Sequence, residues 1–576
     1  MKTKNNDFYP VGVEIPQQSL DRYRCVDAAT KNVLLTAKHR VVFIMIALVV
    51  CFGVMLGRLF QLTIVDHHAR NFKPSVLRTQ YETTRKNIVD RNGIVLATSL
   101  PTVDLSVNPR QVKNPAETAQ RLAGALPDLD YDDVYDKLRS PSNFKYIKRN
   151  LTPKERNSVN WLGYYFLQET KGEKRAYPQG RLFAHILGAT DIDNHGIAGL
   201  EKSYESNLQK ETLQLSLDTS VQEMTRQALQ KGVKKYQAEG GLGIVMDVRN
   251  GEVLAMVSLP DYDPNLPADG NETDRFNKAT LGTYEFGSVF KLFNTAMALD
   301  YKDIRLTDRF DASQTIRIGR KIIEDYRGEN RSLRVPEILI HSSNIGSVLI
   351  AQQSGWEKQR DFLKRFGFYE RLPIQLSERG WTQYPQGKKW ADITSANVAF
   401  GYGISITPLH LIAGVSALVN GGYYRVPTFV RGGNEAAIEY QVIQPETSEA
   451  MRRMMWAVVN WDIKKTDPVA GYAVGGKTGS ANLLENGKYV LGALRTTFVG
   501  AFPMNDPKYA VLVTLENPKR TKETWMFNTA GWNAKPVALD IVAQIAPYLG
   551  VAPQERWEQP AYIQEAINES LQHKKR

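Results

Sequence analysis

Residues 288–291 read Ser-Val-Phe-Lys, and this stretch indicates the chemistry around which the rest of the chain is organised. A serine hydroxyl is a poor nucleophile at neutral pH and needs an adjacent base. Positions three apart on a helix share a face, so a helix that begins near Ser288 places the amine of Lys291 beside the hydroxyl. The pair predicts a serine nucleophile with a lysine base, but a pattern this short also arises by chance.

Two further motifs follow in the chain and make the pattern specific. They are Ser342-Ser343-Asn344 and Lys477-Thr478-Gly479. Each motif alone has an ordinary structural interpretation: a serine that caps a helix, a polar turn, and the end of a solvated strand. Together, and in this order, they predict one pocket that folding assembles from three distant segments.

Length and composition indicate a globular protein of more than one domain. The chain has 576 residues, of which 42% are hydrophobic and 23% are charged, as is usual for globular domains. The net charge of +12 permits binding to anionic lipid or to an acidic polymer, but a solvated basic surface is the simpler interpretation. We expect no nucleic-acid partner.

An uncharged apolar run, Val41–Gly57, interrupts the globular pattern, and Arg58 follows it. A helix needs about 20 apolar residues to cross a bilayer, and the long side chain of Arg58 can reach the polar interface. A cleaved signal peptide is the alternative, but residues 1–40 precede the run and no A-x-A-like site follows it. We predict a cytoplasmic tail at 1–40, a single-pass anchor at 41–65 and an exported remainder.

After the predicted anchor, the pattern of hydrophobic and polar residues divides the chain into two main parts. Residues 66–238 alternate short β-type runs with polar loops, including a predicted hairpin at 87–96 around Asn92-Gly93. Residues 239–550 begin and end with strand-like runs and have helices between them, which predicts an α+β domain with an antiparallel sheet. The charged tail at 551–576 is expected to lie on the surface or to be flexible.

The main predicted elements of the chain follow from hydrophobic periodicity and turn residues. The predicted helices cover residues 115–125, 220–238, 288–299, 335–353, 408–419 and 534–549. The predicted strands cover residues 242–248, 252–259, 496–502 and 509–515. Gly240-Gly241 is predicted to be a break between the two parts.

The three motifs resemble those of penicillin-binding proteins and serine β-lactamases in identity and order. Two upstream segments extend the resemblance to the non-catalytic module of class B penicillin-binding proteins. Arg85–Gly93 is similar to the R-G-x-I-x-D-R-N-G stretch that opens that module, and Gly199–Tyr204 is similar to its second mark. Pro260–Asn265 resembles the segment that leads towards the nucleophile, so the resemblance covers roughly residues 40–550.

The layout resembles a monofunctional class B enzyme, because a class A protein needs a glycosyltransferase domain before the transpeptidase. The resemblance implies an elongated α+β pedestal of the dimerisation type at 66–238. It also implies an α+β penicillin-binding/serine β-lactamase-like transpeptidase domain at 239–550. The compact length and short tail are similar to the division-specific, septal transpeptidase. The elongation-specific relative, which usually has a longer pedestal, is the alternative.

The resemblance also implies a catalytic role for several residues. Ser288 attacks the carbonyl between the two terminal D-alanines of a peptidoglycan stem peptide, and Lys291 accepts its proton. Ser342 relays the proton to the leaving amine of D-alanine. Asn344 holds Lys291 and the substrate amide. Since Lys291 must be neutral, desolvation or the nearby charge of Lys477 should lower its pKa.

The K-T-G strand is implied to bind substrate, through Lys477, Thr478, Gly479 and Ser480. Lys477 and Thr478 bind the terminal carboxylate, and the backbone N–H groups of Ser288 and Ser480 form the oxyanion hole. An amine from a neighbouring stem then deacylates the enzyme and forms the cross-link.

The sequence departs from the family pattern at three positions, none of which removes a reacting group. Phe286 stands where a proline usually precedes the glycine before the nucleophile. Lys86 replaces the first glycine of the pedestal motif, and Ser480 follows K-T-G where threonine is common. Phe286 could change how the chain leads into the active-site helix, and Ser480 could shift β-lactam affinity.

Three other functions compete with this interpretation. Gly471–Thr478 fits the phosphate-binding loop G-x-x-x-x-G-K-[ST], which would make the chain a membrane-anchored ATPase. In such a loop a helix begins at the lysine, whereas Gly479–Asn482 leads here to turn-like residues. A secreted β-lactamase conflicts with the anchor and the pedestal. A catalytically inactive division scaffold conflicts with the intact motif side chains.

Partners and location follow from the resemblance. The substrate is expected to be stem peptides that end in D-Ala-D-Ala, and β-lactams are expected to inhibit covalently. The protein is expected in the bacterial cytoplasmic (inner) membrane, with its catalytic domain in the periplasm or outside. A membrane-embedded peptidoglycan polymerase and other division proteins are expected partners, and Gly53 and Gly57 offer a small-residue face for close packing.

Cysteine and histidine usage gives no sign of a metal site or a disulfide. Cys25 lies in the tail and Cys51 in the apolar run, and no cysteine follows. The histidines are scattered, without the spacing of a zinc site. We expect neither a metal nor a cofactor, and no disulfide in the exported part.

Overall fold

The structure is a computed structural model that describes residues 38–58, 84–432, 439–462, 469–485, 487–554 and 557–574. Two compact units comprise residues 1–82 and residues 83–576. In the first unit, helix α1 (Lys38–Arg58) has 21 residues and a mean hydropathy of 2.6, so its length and composition fit a single-pass membrane anchor. Residues 59–65, the end of the predicted anchor, lie outside the described residues, as does Cys25.

The N-terminal part of the second unit contains a five-stranded sheet with the helices that cover it. Its strands are β1 (Ile88–Val89), β2 (Val95–Val107), β3 (Lys145–Leu151), β4 (Leu167–Ala176) and β5 (Leu213–Gln214). Its helices are α2 (Pro115–Ala125), α3 (Tyr131–Arg139), α4 (Pro153–Asn160), α5 (Ala184–Leu187), α6 (Gly199–Ser203) and α7 (Glu205–Leu208). The strand order is β3-β2-β1-β5, with β4 also paired to β2.

The larger part of this unit is also mixed helix and strand. Its strands are β6 (Gly240–Asp247), β7 (Val253–Leu259), β8 (Arg309–Asp311), β9 (Ile316–Ile318), β10 (Lys321–Ile323), β11 (Ser332–Arg334), β12 (Tyr423–Arg425), β13 (Glu439–Gln441), β14 (Gly475–Glu485), β15 (Lys488–Phe502) and β16 (Tyr509–Glu516). Its longer helices are α8 (Thr219–Lys235), α10 (Lys291–Asp300), α12 (Asn344–Ser354), α13 (Trp356–Arg365), α14 (Asp392–Ala399), α15 (Pro408–Val419), α16 (Pro445–Asn460), α17 (Ala534–Tyr548) and α18 (Ala561–Lys574). Two short helices are α9 (Glu272–Arg275) and α11 (Val335–Ile340).

The central sheet of this part has the order β14-β15-β16-β6-β7, with every pair antiparallel. Helices cover both faces, so each strand alternates between two cores. Ile244 and Leu512 face the larger core, while Val245, Val511 and Val513 face the core that contains α8 and α17. The α+β class with an antiparallel sheet, predicted from the sequence, is confirmed.

The predicted hairpin at 87–96 is present. Val89 pairs with Val95, and Gly93 has a φ of +85°, which suits glycine. The carboxylate of Asp90 accepts hydrogen bonds from the N–H groups of Asn92 and Ile94, both at 2.8 Å. Asp90 thereby closes the turn with its own side chain.

The two pedestal marks bind each other through a buried ion cluster. Arg85, from the first mark, contacts the carboxylate of Glu201, from the second, at 2.6 Å, and Arg175 on β4 contacts the same carboxylate at 2.8 Å. All three side chains are buried. A buried charge is stable only when it is paired, so the cluster explains why these residue types occur together.

Three sequence predictions are wrong in detail. Gly240-Gly241 is not a break but the first part of β6, where a Cβ would lie 2.5 Å and 2.8 Å from the carbonyl oxygens of Leu259 and Thr514. The helix predicted at 335–353 is two helices, α11 and α12. The tail after Val551 contains α18, whose Ile563 is fully buried, so it is not simply a surface tail.

Candidate active site

Ser288 lies in a 3-10 turn, Gly287–Phe290, that runs directly into α10 and Lys291. Gly287 has a φ of +52°, and its N–H donates to the carbonyl oxygen of Gly401 at 3.2 Å. A Cβ on Gly287 would lie 2.9 Å from the carbonyl oxygen of Ser480. Glycine therefore permits both the turn and the close approach of β14.

Ser342-Ser343-Asn344, the S-x-N motif, forms the tight connection between α11 and α12. Ser342 has a φ of +57°, a left-handed conformation that is uncommon for a residue with a Cβ. Ser343 caps α12, because its Oγ accepts a hydrogen bond from the N–H of Gly346 at 2.9 Å. Periodicity alone predicts one helix over residues 335–353. The left-handed residue Ser342 and the Ser343 cap divide it into α11 and α12.

The two motif lysines converge on Ser342. The Nζ of Lys291 donates to the Ser342 Oγ at 3.2 Å and also to the Ser342 carbonyl oxygen. The Nζ of Lys477, on the edge strand β14 of the central sheet, donates to the same Oγ at 2.9 Å. Both lysine side chains are fully buried. Folding therefore joins the three motifs through one hydroxyl oxygen.

Burial sets the charge state of both lysines. Desolvation holds the pKa of Lys291 well below its usual value, the charge of Lys477 lowers it further, and Asp325 opposes this effect. Burial also lowers the pKa of Lys477 to about 7. Desolvation thus favours the uncharged form of Lys291, which is the form that can accept a proton.

The three motifs surround one cavity of about 560 Å³. The predicted site residues that line it are Ser288, Ser342, Asn344, Thr478, Gly479 and Ser480. The buried lysines reach its wall through Ser342. The structure therefore places all eight predicted residues at a single site.

Asn344 is positioned differently from the sequence expectation. Its Nδ2 donates to the carbonyl oxygen of Glu324 at 2.9 Å, and within the described residues no hydrogen bond joins it to Lys291. The Ser342 oxygens accept from Lys291 instead. Asn344 still lines the cavity.

Sequence reasoning missed Asp325. Its carboxylate accepts hydrogen bonds from the Ser343 hydroxyl at 2.6 Å and from the N–H of Ile345 at 3.0 Å, and it also contacts the N–H of Asn344. It therefore holds the S-x-N turn and acts on the charge state of Lys291. An isolated acidic residue in a loop gives no sequence signal for such a contact.

His341, directly before Ser342, connects the site to the C-terminal helix. Its Nδ1 lies 3.1 Å from a carboxylate oxygen of Glu329, and its Nε2 lies 2.8 Å from the Oγ of Ser570 on α18. Burial lowers the pKa of His341 to about 4, so the ring is neutral at physiological pH. Helix α18 therefore supports the active-site turn from behind.

Two remaining sequence questions have structural answers. Lys477 lies within strand β14, and no helix begins there, so the geometry is not that of a phosphate-binding loop.

The ring of Phe286 is buried in the larger core, with its centroid 6.3 Å from that of Tyr284. Phe286 thus anchors the nucleophile turn by apolar packing.

A Gly479→Ala substitution is expected to lower the rate of acylation by penicillin by at least about 10²-fold. A Cβ at this position would lie 2.2 Å from the carbonyl oxygen of Phe286, so the strand and the nucleophile turn must separate. A displacement of about 1 Å at a reacting centre can cost this much. Gly124→Ala, whose Cβ has open space, is the control. An acylation rate within about twofold of wild type would contradict the close approach.

An Asp325→Asn substitution is expected to move the acidic limb of the acylation pH profile to lower pH. The Asp325 charge raises the pKa of Lys291, so its removal keeps the base neutral in more acidic solution. The asparagine oxygen can still accept hydrogen bonds from the turn. The measurement is the acylation rate constant against pH, with Glu324→Gln as the exposed control. A limb that moves to higher pH would contradict this charge relation.

Comparisons with known proteins agree with the geometry. Residues 241–543 match the family model for the penicillin-binding protein transpeptidase domain, and residues 80–214 match the model for the penicillin-binding protein dimerisation domain. A crystal structure of a peptidoglycan synthetase from Bifidobacterium adolescentis has a TM-score of 0.65 and 20% identity, covering 82% of this chain and 97% of that one. It shares the fold.

Three curated relatives are similar over most of their length. Probable peptidoglycan D,D-transpeptidase FtsI of Caulobacter vibrioides is 32% identical, over 82% of each chain. Stage V sporulation protein D of Bacillus subtilis is 30% identical, over 92% of this chain and 88% of its own. Probable peptidoglycan D,D-transpeptidase PenA of Neisseria meningitidis is 32% identical, over 84% and 89%.

These matches cover both parts of the second unit and agree with the site chemistry. Peptidoglycan stem peptides are the substrate of such a domain, and β-lactams bind to it. The chain belongs to the penicillin-binding proteins and is a class B serine-type peptidoglycan D,D-transpeptidase.

Proposed function

We propose that Ser288 forms the acyl-enzyme of this transpeptidase and that the protein works in septal cell-wall synthesis. The observation that carries the catalytic assignment is the convergence of two buried lysine amines on Ser342, in the cavity that Ser288 also lines. Lys291 follows Ser288 by three residues, so an amine whose pKa burial lowers lies one turn along the chain from the hydroxyl. A neutral amine next to a serine is what activates the nucleophile.

In the proposed acylation step, the Oγ of Ser288 attacks the carbonyl of the penultimate D-alanine. The proton moves to the Nζ of Lys291, and the new ester bond replaces the peptide bond to the last D-alanine. Ser342, which accepts hydrogen bonds from both lysines, passes a proton to the departing amine. In the second step, an amine of a neighbouring stem attacks the ester, which restores the Ser288 hydroxyl and forms the cross-link.

Lys477 couples substrate binding to the base. Its pKa of about 7 leaves it partly charged in the empty site. A bound terminal carboxylate favours the charged form of Lys477. That added charge lowers the pKa of Lys291 further, so the substrate itself helps to keep the base neutral. Thr478 lies beside Lys477 at the cavity wall and supplies a hydroxyl to the same carboxylate.

The oxyanion hole is assigned to the backbone N–H groups of Ser288 and Ser480. The side chain of Ser480 accepts a hydrogen bond from the N–H of Ala530 at 3.1 Å, which fixes β14 against the loop that follows β16. Gly287 and Gly479 allow β14 to approach the turn that carries Ser288 closely, which supports this assignment. Loss of one such donor typically costs about 10²–10³ in rate.

Catalysis is tested by turnover of a stem peptide that ends in D-Ala-D-Ala, with an acceptor amine present. The full chain in detergent is expected to release D-alanine and to form the cross-linked product, and Ser288→Ala is expected to do neither. A folded wild-type chain that releases no D-alanine would indicate an inactive scaffold. Rapid turnover of penicillin without a stable adduct would indicate a β-lactamase.

The septal role is proposed from the compact layout and from similarity to the relative named FtsI. The proposed division is a cytoplasmic tail at 1–40, an anchor at 41–65, a pedestal at 66–238, a transpeptidase domain at 239–550 and a C-terminal segment at 551–576. Helix α1 would hold the protein in the bacterial inner membrane, with the catalytic domain on the outer side.

Division proteins and a membrane-embedded peptidoglycan polymerase are the proposed partners, through the anchor and the pedestal. Gly53 and Gly57, one turn apart on α1, have open space around them and permit close helix packing. A fluorescent fusion that gathers at midcell would support the septal role. Signal along the side wall would favour elongation instead.

A further inference from the structure

The cavity wall carries positive charge without a balancing anion. Arg327 is the charged side chain on this wall, and no aspartate or glutamate is among the described residues that line it. The amines of Lys291 and Lys477 both donate to the Oγ of Ser342, which lines the cavity. A cleft lined by one sign of charge favours ligands of the other sign. Arg327 therefore offers a place for an anionic group in addition to the one assigned to Lys477.

The guanidinium of Arg327 has N–H donors that remain available to a ligand. Its guanidinium carbon lies 4.9 Å from the ring centroid of Phe527, a cation–π contact. Within the part of the chain that the structure describes, no carboxylate pairs with it. The neighbouring arginines differ, because Arg331 contacts Glu337 at 2.6 Å and Arg334 contacts a glutamate of α18. Among these three arginines of one segment, Arg327 is the one whose planar donors remain available to a ligand.

Phe527 holds Arg327 at a defined place in the cleft. The ring of Phe527 stacks on Trp532, with centroids 5.4 Å apart and planes 16° apart. Ala530, between them, is joined to Ser480 on β14. The arginine thus stands on a wall that is connected to the strand assigned to the terminal carboxylate, but it comes from a different loop.

We propose that Arg327 binds a second carboxylate of the donor stem peptide, one that lies upstream of the terminal D-Ala-D-Ala. This inference rests on the proposed function of the site and names a further specificity determinant in it. The terminal carboxylate is assigned to Lys477 and Thr478. A planar guanidinium matches a carboxylate with two parallel hydrogen bonds, which an ammonium cannot do.

Two penicillins that differ by one carboxylate test the inference. Carbenicillin has a carboxylate on its side chain and benzylpenicillin has none there, while both keep the ring carboxylate that stands for the substrate terminus. In Arg327→Gln, acylation by carbenicillin is expected to slow by about tenfold, as for loss of a hydrogen bond to a charged group. Acylation by benzylpenicillin is expected to stay within about twofold of wild type.

A matched peptide pair gives a second readout. Donor stem peptides with a free or an amidated side carboxylate are compared by release of D-alanine, and Arg327→Gln is expected to remove the preference for the free acid. Arg327→Lys should keep part of it, because the charge remains but the planar fork is lost. Arg320→Gln, an exposed arginine in the turn between β9 and β10, is the control and should keep all of it.

The outcomes separate the inference from the function on which it rests. Equal slowing for both penicillins would mean that Arg327 binds the terminal carboxylate or supports the fold, and the inference would fail. No slowing for either would also overturn it. If wild type is acylated by neither penicillin, the proposed function fails first and the inference falls with it.

Discussion

Replacing Lys291 by methionine is expected to lower the rate of acylation by penicillin by about 10³-fold, within the range for loss of a general base. Lys291 is fully buried, and its Nζ contacts both oxygens of Ser342. Burial and the charge of Lys477 lower its pKa and so favour the neutral form that can accept a proton. Methionine fills a similar volume without leaving a buried charge, so the fold should persist.

The measurement is single-turnover labelling by a fluorescent penicillin at neutral pH, alongside a thermal unfolding curve for each variant. Lys321→Met, which removes an exposed lysine on β10, is the control and should acylate at the wild-type rate. Acylation of Lys291→Met within about tenfold of wild type would assign the base to another group, and Lys477 would be the first to examine.

Replacing Glu201 by alanine is expected to destabilise the second unit by about 3–5 kcal/mol, as for a broken buried ion pair. Its carboxylate contacts Arg85 at 2.6 Å and Arg175 at 2.8 Å, and Arg85 also donates to its main-chain oxygen. Without Glu201, Arg85 keeps the partly exposed carboxylate of Glu205, but no other described carboxylate pairs with Arg175. The cost arises from these uncompensated charges more than from a lost attraction.

Denaturant unfolding followed by intrinsic fluorescence measures this effect. Glu201→Gln keeps the shape and one acceptor, so it should lie between wild type and alanine. Arg156→Ala, which removes an exposed ion pair with Glu169, is the control and should change the free energy of unfolding by less than about 1 kcal/mol. A Glu201→Ala chain as stable as wild type would show that the ion cluster between the two pedestal marks contributes little to the free energy of unfolding.

Several features of the fold were accessible from the sequence because their cause is local. Helix α15 matches its predicted bounds, since a proline begins it and an apolar run continues it. The hairpin around Gly93 was recognisable from Asn92-Gly93, the residue pair that its turn needs. The site residues were found because three motifs, each weak alone, occur in one order.

Other features depend on distant contacts and gave no local signal. Gly240 and Gly241 suggested a break, but they sit in β6 because neighbouring strands leave no room for a Cβ. The positive φ of Ser342 divides the predicted helix at 335–353, and it is held by Asp325 from another loop. The sequence around Ser570 does not predict that its helix, α18, contacts His341 beside the active site.

The central claim is that Ser288 becomes the acylated residue in a cavity built from three distant motifs. The most direct measurement is peptide mapping by mass spectrometry after the full chain reacts with benzylpenicillin. We expect the penicilloyl group on the peptide that contains Ser288, and no adduct on any peptide of Ser288→Ala. A stable adduct on a different residue, or an adduct that persists in Ser288→Ala, would contradict the account.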